Sequence, residues 1–357
     1  MGAFEQKIDL NKIGQFSFRI FEDVCTALRG ALCYIGDKLQ IFKAMKDLGP
    51  TTVEELAQKT GLPAFYLRDW LGGMVAGDYI EYDPASERYT LPPEHALVLT
   101  DEHAPYYMAG MLEMIVPLVA IVPKVSAAMR NGSGVPPSEY SSDVWEAIER
   151  GTAPVYRHCL AQLWIPAMPQ VQAKLLAGGT ALDVGCGAGH AAITIAKAFP
   201  AARVYGYDCH AGSIERARKR SIAEGLDERI QFEVMDGTRL PRRQFDFISA
   251  FMILPEVADP VSLLSSIREA LSPDGTLLLL DMNAAPRLHE NKTPLGRYVY
   301  PMSTLYGLPI SIANGGAGTS GVKDEGKIRE LAEKAGFGSF RKLQLDDGFS
   351  ALYEMRI

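Results

Sequence analysis

Apolar residues recur at helical spacing in the first part of the chain and as short buried-strand runs in its second half. Leu28, Ala31, Leu32, Ile35, Leu39 and Phe42 define a helix over 27–48, which Gly49-Pro50 stops. Thr51 or Thr52, followed three residues on by Glu54 or Glu55, has capping-box spacing and starts a second, short helix. Gly61-Leu62-Pro63 ends it, and a third helix is predicted over 64–75. Tyr79-Ile80-Glu81-Tyr82, the turn Asp83-Pro84, and Arg88-Tyr89-Thr90-Leu91 read as two strands joined by a turn. Helices followed by such a hairpin outline a winged helix.

From 101 to 172 the pattern is helical, with a polar Gly/Pro-rich interruption at 131–142. Beyond that, strands at 180–185, 203–208, 230–236, 245–251 and 276–281 alternate with helices at 191–199, 213–224 and 260–271. This alternation specifies a parallel sheet with helices on both faces. A long irregular insert follows Asp281 and reaches Val322. A helix at 324–335 comes next, and strands at 340–345 and 349–357 would pair antiparallel across Asp346-Asp347-Gly348. The expected layout is a mostly helical winged-helix domain at 1–100, a helical bridge at 101–172, and an α/β domain at 173–357 carrying a lid insert at 283–322.

Composition narrows the class. With 47% hydrophobic and 22% charged residues the chain is an ordinary globular sequence, and 357 residues suit two domains. A net charge of −7 argues against a general polyanion binder. The five cysteines are scattered with no CxxC pair, which fits a reducing compartment and neither a disulfide framework nor a zinc ribbon. No His/Cys/Asp/Glu set has metal-ligand spacing, so no metal is expected. The first residues show no secretory pattern, and Gln6 stands where a myristoylation motif needs Ser or Thr. The most apolar run, 108–123, holds Glu113 and Pro117 and falls short of the roughly 20 residues that span a bilayer. A cytoplasmic protein without membrane partners is expected.

The most informative stretch is Leu182-Asp183-Val184-Gly185-Cys186-Gly187-Ala188-Gly189-His190, a strand delivering a tight glycine turn into a helix. A dinucleotide fingerprint would need a third glycine where His190 stands, and a P-loop would need a lysine that is absent. The spacing G-x-G-x-G with Asp183 in the strand resembles motif I of class I S-adenosylmethionine-dependent methyltransferases. That resemblance implies a Rossmann-like seven-stranded sheet with S-adenosylmethionine as cofactor. It also implies an acid at the end of the second strand on the ribose hydroxyls, matched by Asp208, 21 residues after Gly187. Val234-Met235-Asp236-Gly237 matches the acid–small pair that brackets the adenine. The cofactor set so implied is Asp183, Gly185, Gly187, Gly189, Asp208, Cys209, Met235, Asp236, Gly237 and Phe251. The strings around 61–71, 82–95, 289–296 and 315–318 resemble the subgroup with an N-terminal winged-helix domain, in which that domain mediates dimerisation and roofs the acceptor pocket.

The winged-helix segment does not look like a DNA reader. Residues 51–100 carry three cations (Lys59, Arg68, Arg88) against eight carboxylates, a net of −5. A homodimer and a small-molecule acceptor are therefore expected, with a SAM-binding transcriptional regulator and a protein or RNA methyltransferase as alternatives.

Methyl transfer to an alcohol or phenol needs a base, whereas a thiol or amine needs less help. Relatives carry an Asp and a His at the strand-four exit, where this chain has Met252 and Pro255. Their loss favours a sulfur or nitrogen acceptor over oxygen. Remaining candidates for catalysis are His289 in the insert, Glu256 after Pro255, and His158 in the bridge. Met252, Asn283, Tyr298, Tyr300 and Tyr306 are candidate substrate residues, with Tyr298 and Tyr300 on one face if extended. The glycine-rich 314–321 stretch reads as a mobile lid.

Overall fold

The computed structural model describes residues 8–242, 245–318, 321–344 and 348–357. The chain divides into two compact units, Met1–Val116 and Pro117–Ile357, so the division falls inside the segment expected to be a bridge.

In the first unit, Asp9 accepts from the backbone N–H groups of Asn11 and Lys12 and caps a helix, Leu10–Lys38, that starts far earlier than the spacing predicts. The predicted continuous helix over 27–48 is broken. Gln40 takes a left-handed φ of 56°, and a separate helix Ile41–Leu48 follows. The predicted capping box is formed by Thr52 and Glu55 at the head of Val53–Thr60, and Ala64–Ala76 is the next helix. Strands β1 (Glu81–Asp83) and β2 (Arg88–Thr90) pair antiparallel, and Thr51 bridges to Tyr89. Cys33, Phe42, Leu56, Leu67, Trp70, Leu71 and Met74 form its core.

The second unit holds β3 (Thr180–Val184), β4 (Arg203–Asp208), β5 (Ile230–Val234), β6 (Phe245–Phe251), β7 (Leu271–Met282), β8 (Ser339–Lys342) and β9 (Ser350–Arg356). They form one seven-stranded sheet in the order β5-β4-β3-β6-β7-β9-β8, with β9 antiparallel to both neighbours and the other pairings parallel. The expected closing pair is present, although Leu345, Asp346 and Asp347 lie outside the described residues. Both faces are covered, which explains the continuous apolar runs: Leu278 and Leu280 face one core with Trp164, Ile195 and Phe247, while Leu277 and Leu279 face another with Ile248, Leu263 and Ile328. Strand order reverses at β3, the position where open α/β sheets bind ligands beyond the carboxyl ends of their strands.

The insert expected to be irregular is largely helical: Pro294–Met302, a π-helical turn Ser303–Gly307, and Leu308–Ala313. Leu295, Val299, Tyr306 and Ile310 are its buried row, which Pro301, Gly307 and Pro309 obscure in the sequence. A second π-helical segment, Tyr156–Trp164, continues the helix Ser142–Val155. Each π segment begins two residues after a proline inside the preceding helix, Pro154 and Pro301. A proline supplies no N–H to the preceding turn, and the hydrogen-bond register slips downstream of it. The glycine-rich stretch read as a lid contains Thr319 and Ser320, which lie outside the described residues.

Candidate active site

The three glycines after β3 are required for different reasons. Gly185, Gly187 and Gly189 all have positive φ, at 70°, 51° and 80°. A Cβ on Gly185 would lie 2.8 Å from the Ile253 side chain, and one on Gly189 would lie 2.6 Å from the Phe232 ring. Gly187 differs: a Cβ there would meet nothing within 4 Å. Its backbone faces open space at the sheet's switch point, where a ligand can approach the main chain.

Asp208, the last residue of β4, faces this loop. One carboxylate oxygen accepts from the Gly187 N–H at 2.9 Å and the other from the His210 N–H at 2.8 Å. The Tyr207 carbonyl accepts from Gly185 and Cys186, so the loop is fixed to the tip of β4 by main-chain bonds as well. Asp183 is buried beneath it, with its carboxylate accepting from the Ser249 hydroxyl at 2.7 Å. Burial pushes this carboxyl up to about 7, with the Asp208 charge adding to it against the Ser249 bond.

At the exit of β5, Met235 donates its N–H to the Asp208 carbonyl, and Asp236 accepts from the N–H and hydroxyl of Thr238, both at 2.9 Å. A Cβ on Gly237 would touch Leu263 and Val184. Phe251 ends β6 buried, stacked on Tyr156 at 5.3 Å and edge-on to Trp164. Cys209 is exposed as a residue, yet its thiol is pushed up to about 11 by burial and by the charges of Asp208, Glu256 and Asp236.

Residues after β6 turn sharply. Met252 takes a left-handed φ of 58° while donating its N–H to the Leu280 carbonyl, an uncommon conformation for a residue with a Cβ. Glu256 follows, and the Tyr306 hydroxyl donates to its carboxylate at 3.1 Å. Glu256 is half-buried. That burial pushes it up to about 8, against the Tyr306 bond and together with the Asp208 charge. The insert is clipped to this exit: Ser311 donates to the Val257 carbonyl, and Gly307 packs on Pro255. The 131–142 loop is clipped to the insert in turn, through Val135 N–H to the Pro309 carbonyl and Tyr140 hydroxyl to the Leu305 carbonyl.

The three catalytic candidates separate. Glu256 stands in this cluster, His158 is half-buried on the π-helical Tyr156–Trp164 segment, and His289 is exposed on the turn Leu288–Asn291. Among the substrate candidates, Tyr306 is buried in the cluster and Met252 borders it. Tyr298 and Tyr300 lie on a helix rather than a strand, so two positions apart they point to nearly opposite sides and share no face. Asn283 is exposed and accepts from Lys342 at 2.9 Å. Two residues of the site escaped sequence reasoning. His190 holds a buried Nε2 with no hydrogen-bond partner among the described residues, and burial with the charges of Arg220 and Arg157 lowers its imidazole to about 3. Trp145, in the bridge, packs on both Tyr306 and His210.

Comparisons with known proteins agree with this geometry. A family model described as a methyltransferase domain matches residues 175–336, and one described as an Rv2258c-like winged HTH domain matches 27–101. The chain thus carries a methyltransferase domain behind an N-terminal Rv2258c-like winged HTH domain. Among curated proteins, a ubiquinone biosynthesis O-methyltransferase of Haemophilus ducreyi is 34% identical over 119 residues, 32% of this chain and 50% of that protein. The chain thus matches about half the length of such relatives. Among solved structures, the mitomycin 7-O-methyltransferase MmcR superposes with a TM-score of 0.72 at 19% identity, covering 98% of this chain and 99% of that one. Human N-acetylserotonin methyltransferase, solved with SAM, superposes at 0.68 and 19% identity, covering 100% and 99%. At these identities the likeness is one of fold.

The methyltransferase's cofactor is S-adenosylmethionine, and the residues at the strand tips fit it. Gly187 leaves its main chain open, and the Asp208 oxygens, each with one described backbone donor, retain lone pairs for ribose hydroxyls.

Proposed function

We propose that this methyltransferase transfers a methyl group to a heteroatom of a small-molecule acceptor, with Glu256 receiving the acceptor's proton. When bound, S-adenosylmethionine supplies a methyl carbon activated by its sulfonium. Gly185, Gly187, Gly189, Asp208, Met235 and Asp236 would hold it, with Asp183 supporting the glycine loop from below. The observation that carries the reading is the Glu256–Tyr306 pair beside Asp208. A carboxyl held near 8 ionises close to neutral pH and is basic enough to accept a proton from a hydroxyl. Tyr306 fixes its orientation, and the clipped insert and 131–142 loop restrict water around it. The preference for sulfur or nitrogen rested on the missing Asp and His at the β6 exit. Glu256 supplies a base at that exit, so we favour an oxygen acceptor, with nitrogen or sulfur next.

A homodimer is part of this reading. Ile13, Phe16, Ile20, Val24 and Leu28 form a stripe along Leu10–Lys38 and are between 48% and 64% exposed. A second copy of the helix suits this stripe. Nucleic acid does not suit the winged helix, because Lys59, Arg68 and Arg88 pair with Asp47, Glu54 and Glu55. No single helix among the described residues is long and apolar enough to cross a membrane. A cytoplasmic setting suits the five free cysteines.

The test is calorimetry with S-adenosylhomocysteine together with an acceptor screen reading its release. Wild type should bind, and Asp208→Ala should lose at least about tenfold in affinity, the value of one charged contact. Equal affinity in the two proteins removes the site assignment.

A further inference from the structure

Trp145 stands between the two corners of the site. On one side its ring lies 5.5 Å from the His210 ring, and the His210 main chain donates to the Asp208 carboxylate. On the other it lies 5.4 Å from Tyr306, edge to face, and Tyr306 donates to Glu256. Tyr140 completes this side, 5.7 Å from Tyr306 and 6.4 Å from Trp145.

The indole is held in place from its own helix. Trp145 and Glu149 are four residues apart on Ser142–Val155 and so share a face. Glu149 clamps Arg216 with both oxygens, at 2.6 and 3.1 Å, on the helix Ala211–Ala223 that follows Asp208. The His210 ring is fixed too, because its Nδ1 contacts the Ser213 N–H and hydroxyl at the start of that helix. Two helices therefore meet through an ion pair and a ring contact, and Trp145 is preorganised between them. Tyr140 and Tyr306 are buried, whereas Trp145 keeps partial solvent exposure.

We infer that Trp145 is a wall shared by both halves of the site: its open part closes the nucleoside corner beside Asp208, and its packed edge, with Tyr306, bounds the acceptor beside Glu256. An aromatic face suits a nucleoside base or ribose on one side and a ring-bearing acceptor on the other. The shared wall fixes the distance between the two ligands, which an in-line transfer requires.

The inference rests on the methyltransferase reading, and the experiment separates the two. Calorimetry of the full wild-type chain with S-adenosylhomocysteine tests the cofactor site alone. Acrylamide quenching with and without saturating S-adenosylhomocysteine then tests Trp145, because the other tryptophans, Trp70 and Trp164, are only 5% and 2% exposed. The Stern–Volmer constant should fall about twofold or more on binding. Trp145→Phe should lose this protection, and Trp145→Ala should bind S-adenosylhomocysteine about tenfold more weakly, as removal of a base-stacking ring does. With acceptors found by the screen, Trp145→Ala should raise KM. Wild type that binds S-adenosylhomocysteine with its quenching unchanged overturns the inference and leaves the methyltransferase reading standing. Wild type that fails to bind overturns both. The wild-type quenching decides the cofactor half even if both variants misfold, and an unchanged KM in a folded Trp145→Ala removes the acceptor half.

Discussion

Replacing Glu256 by Gln should make the protein more stable in mild alkali while removing the proposed base. The folded state holds this carboxyl near 8, against an ordinary 4.5 in the unfolded chain. Below about 4.5 both states are protonated and the group contributes nothing to the pH dependence. Between there and about 8 the unfolded state has released its proton while the folded state retains it. Each rising pH unit in that window therefore costs about 1.4 kcal/mol of folding stability. Full burial across the whole window would give about 5 kcal/mol, and the half-buried position of Glu256 reduces this to about 2–3 kcal/mol. Glutamine keeps the shape and the acceptor oxygen for Tyr306 but cannot ionise. Urea unfolding should thus show Glu256→Gln close to wild type near pH 5 and about 2–3 kcal/mol more stable near pH 8.5. Asp183 and Asp281, raised to about 7 and about 6, lose stability in the same direction in both proteins, so the difference isolates Glu256. With an oxygen acceptor, kcat should fall by about two to four orders of magnitude. Parallel stability curves across this pH range would refute the account of a buried, protonated Glu256.

Two further substitutions test the site's framework. Gly187→Ala should fold at a cost of about 1 kcal/mol, since only its left-handed φ is strained, yet weaken S-adenosylhomocysteine binding; Gly189→Ala should cost about 3 kcal/mol or more, because its Cβ would enter the Phe232 ring. Thermal melts beside calorimetry distinguish the pair, and equal stabilities would contradict the geometry. Arg216→Met should cost about 3 kcal/mol by leaving Glu149 buried and unpaired, while the double variant with Glu149→Met should recover most of it. A double-mutant cycle in urea reads the coupling, and additive losses would show that the clamp is not energetically linked.

The glycine turn and the strand–helix alternation were legible because each rests on local physics. Gly185, Gly187 and Gly189 mark backbone that L-residues rarely adopt, and doubly covered strands require unbroken apolar runs. Asp208 stood out through the resemblance, which implies an acid at the end of the second strand, and the strand does end on it. The helical insert was not, because Pro301, Gly307 and Pro309 are ordinarily breakers, and here they sit in the last turn before a π segment, at the end of that segment and at a helix start. That π segment places Tyr306 against Glu256, so the same feature that hid the helix also hid the pair. Glu256 itself reads in sequence as a helix-start acid after a proline, and only its burial in the assembled fold, beside Tyr306 from 50 residues away, raises its proton affinity into a range useful for chemistry. His289 looked the better base because the ordinary range of an imidazole lies near neutrality, whereas a carboxyl must be buried to reach it. Chemical identity is local, but proton affinity belongs to the assembled neighbourhood. The proposed cofactor half of the site is thus built from turns that sequence encodes directly, and the proposed acceptor half from contacts between the insert, the 131–142 loop and the β6 exit.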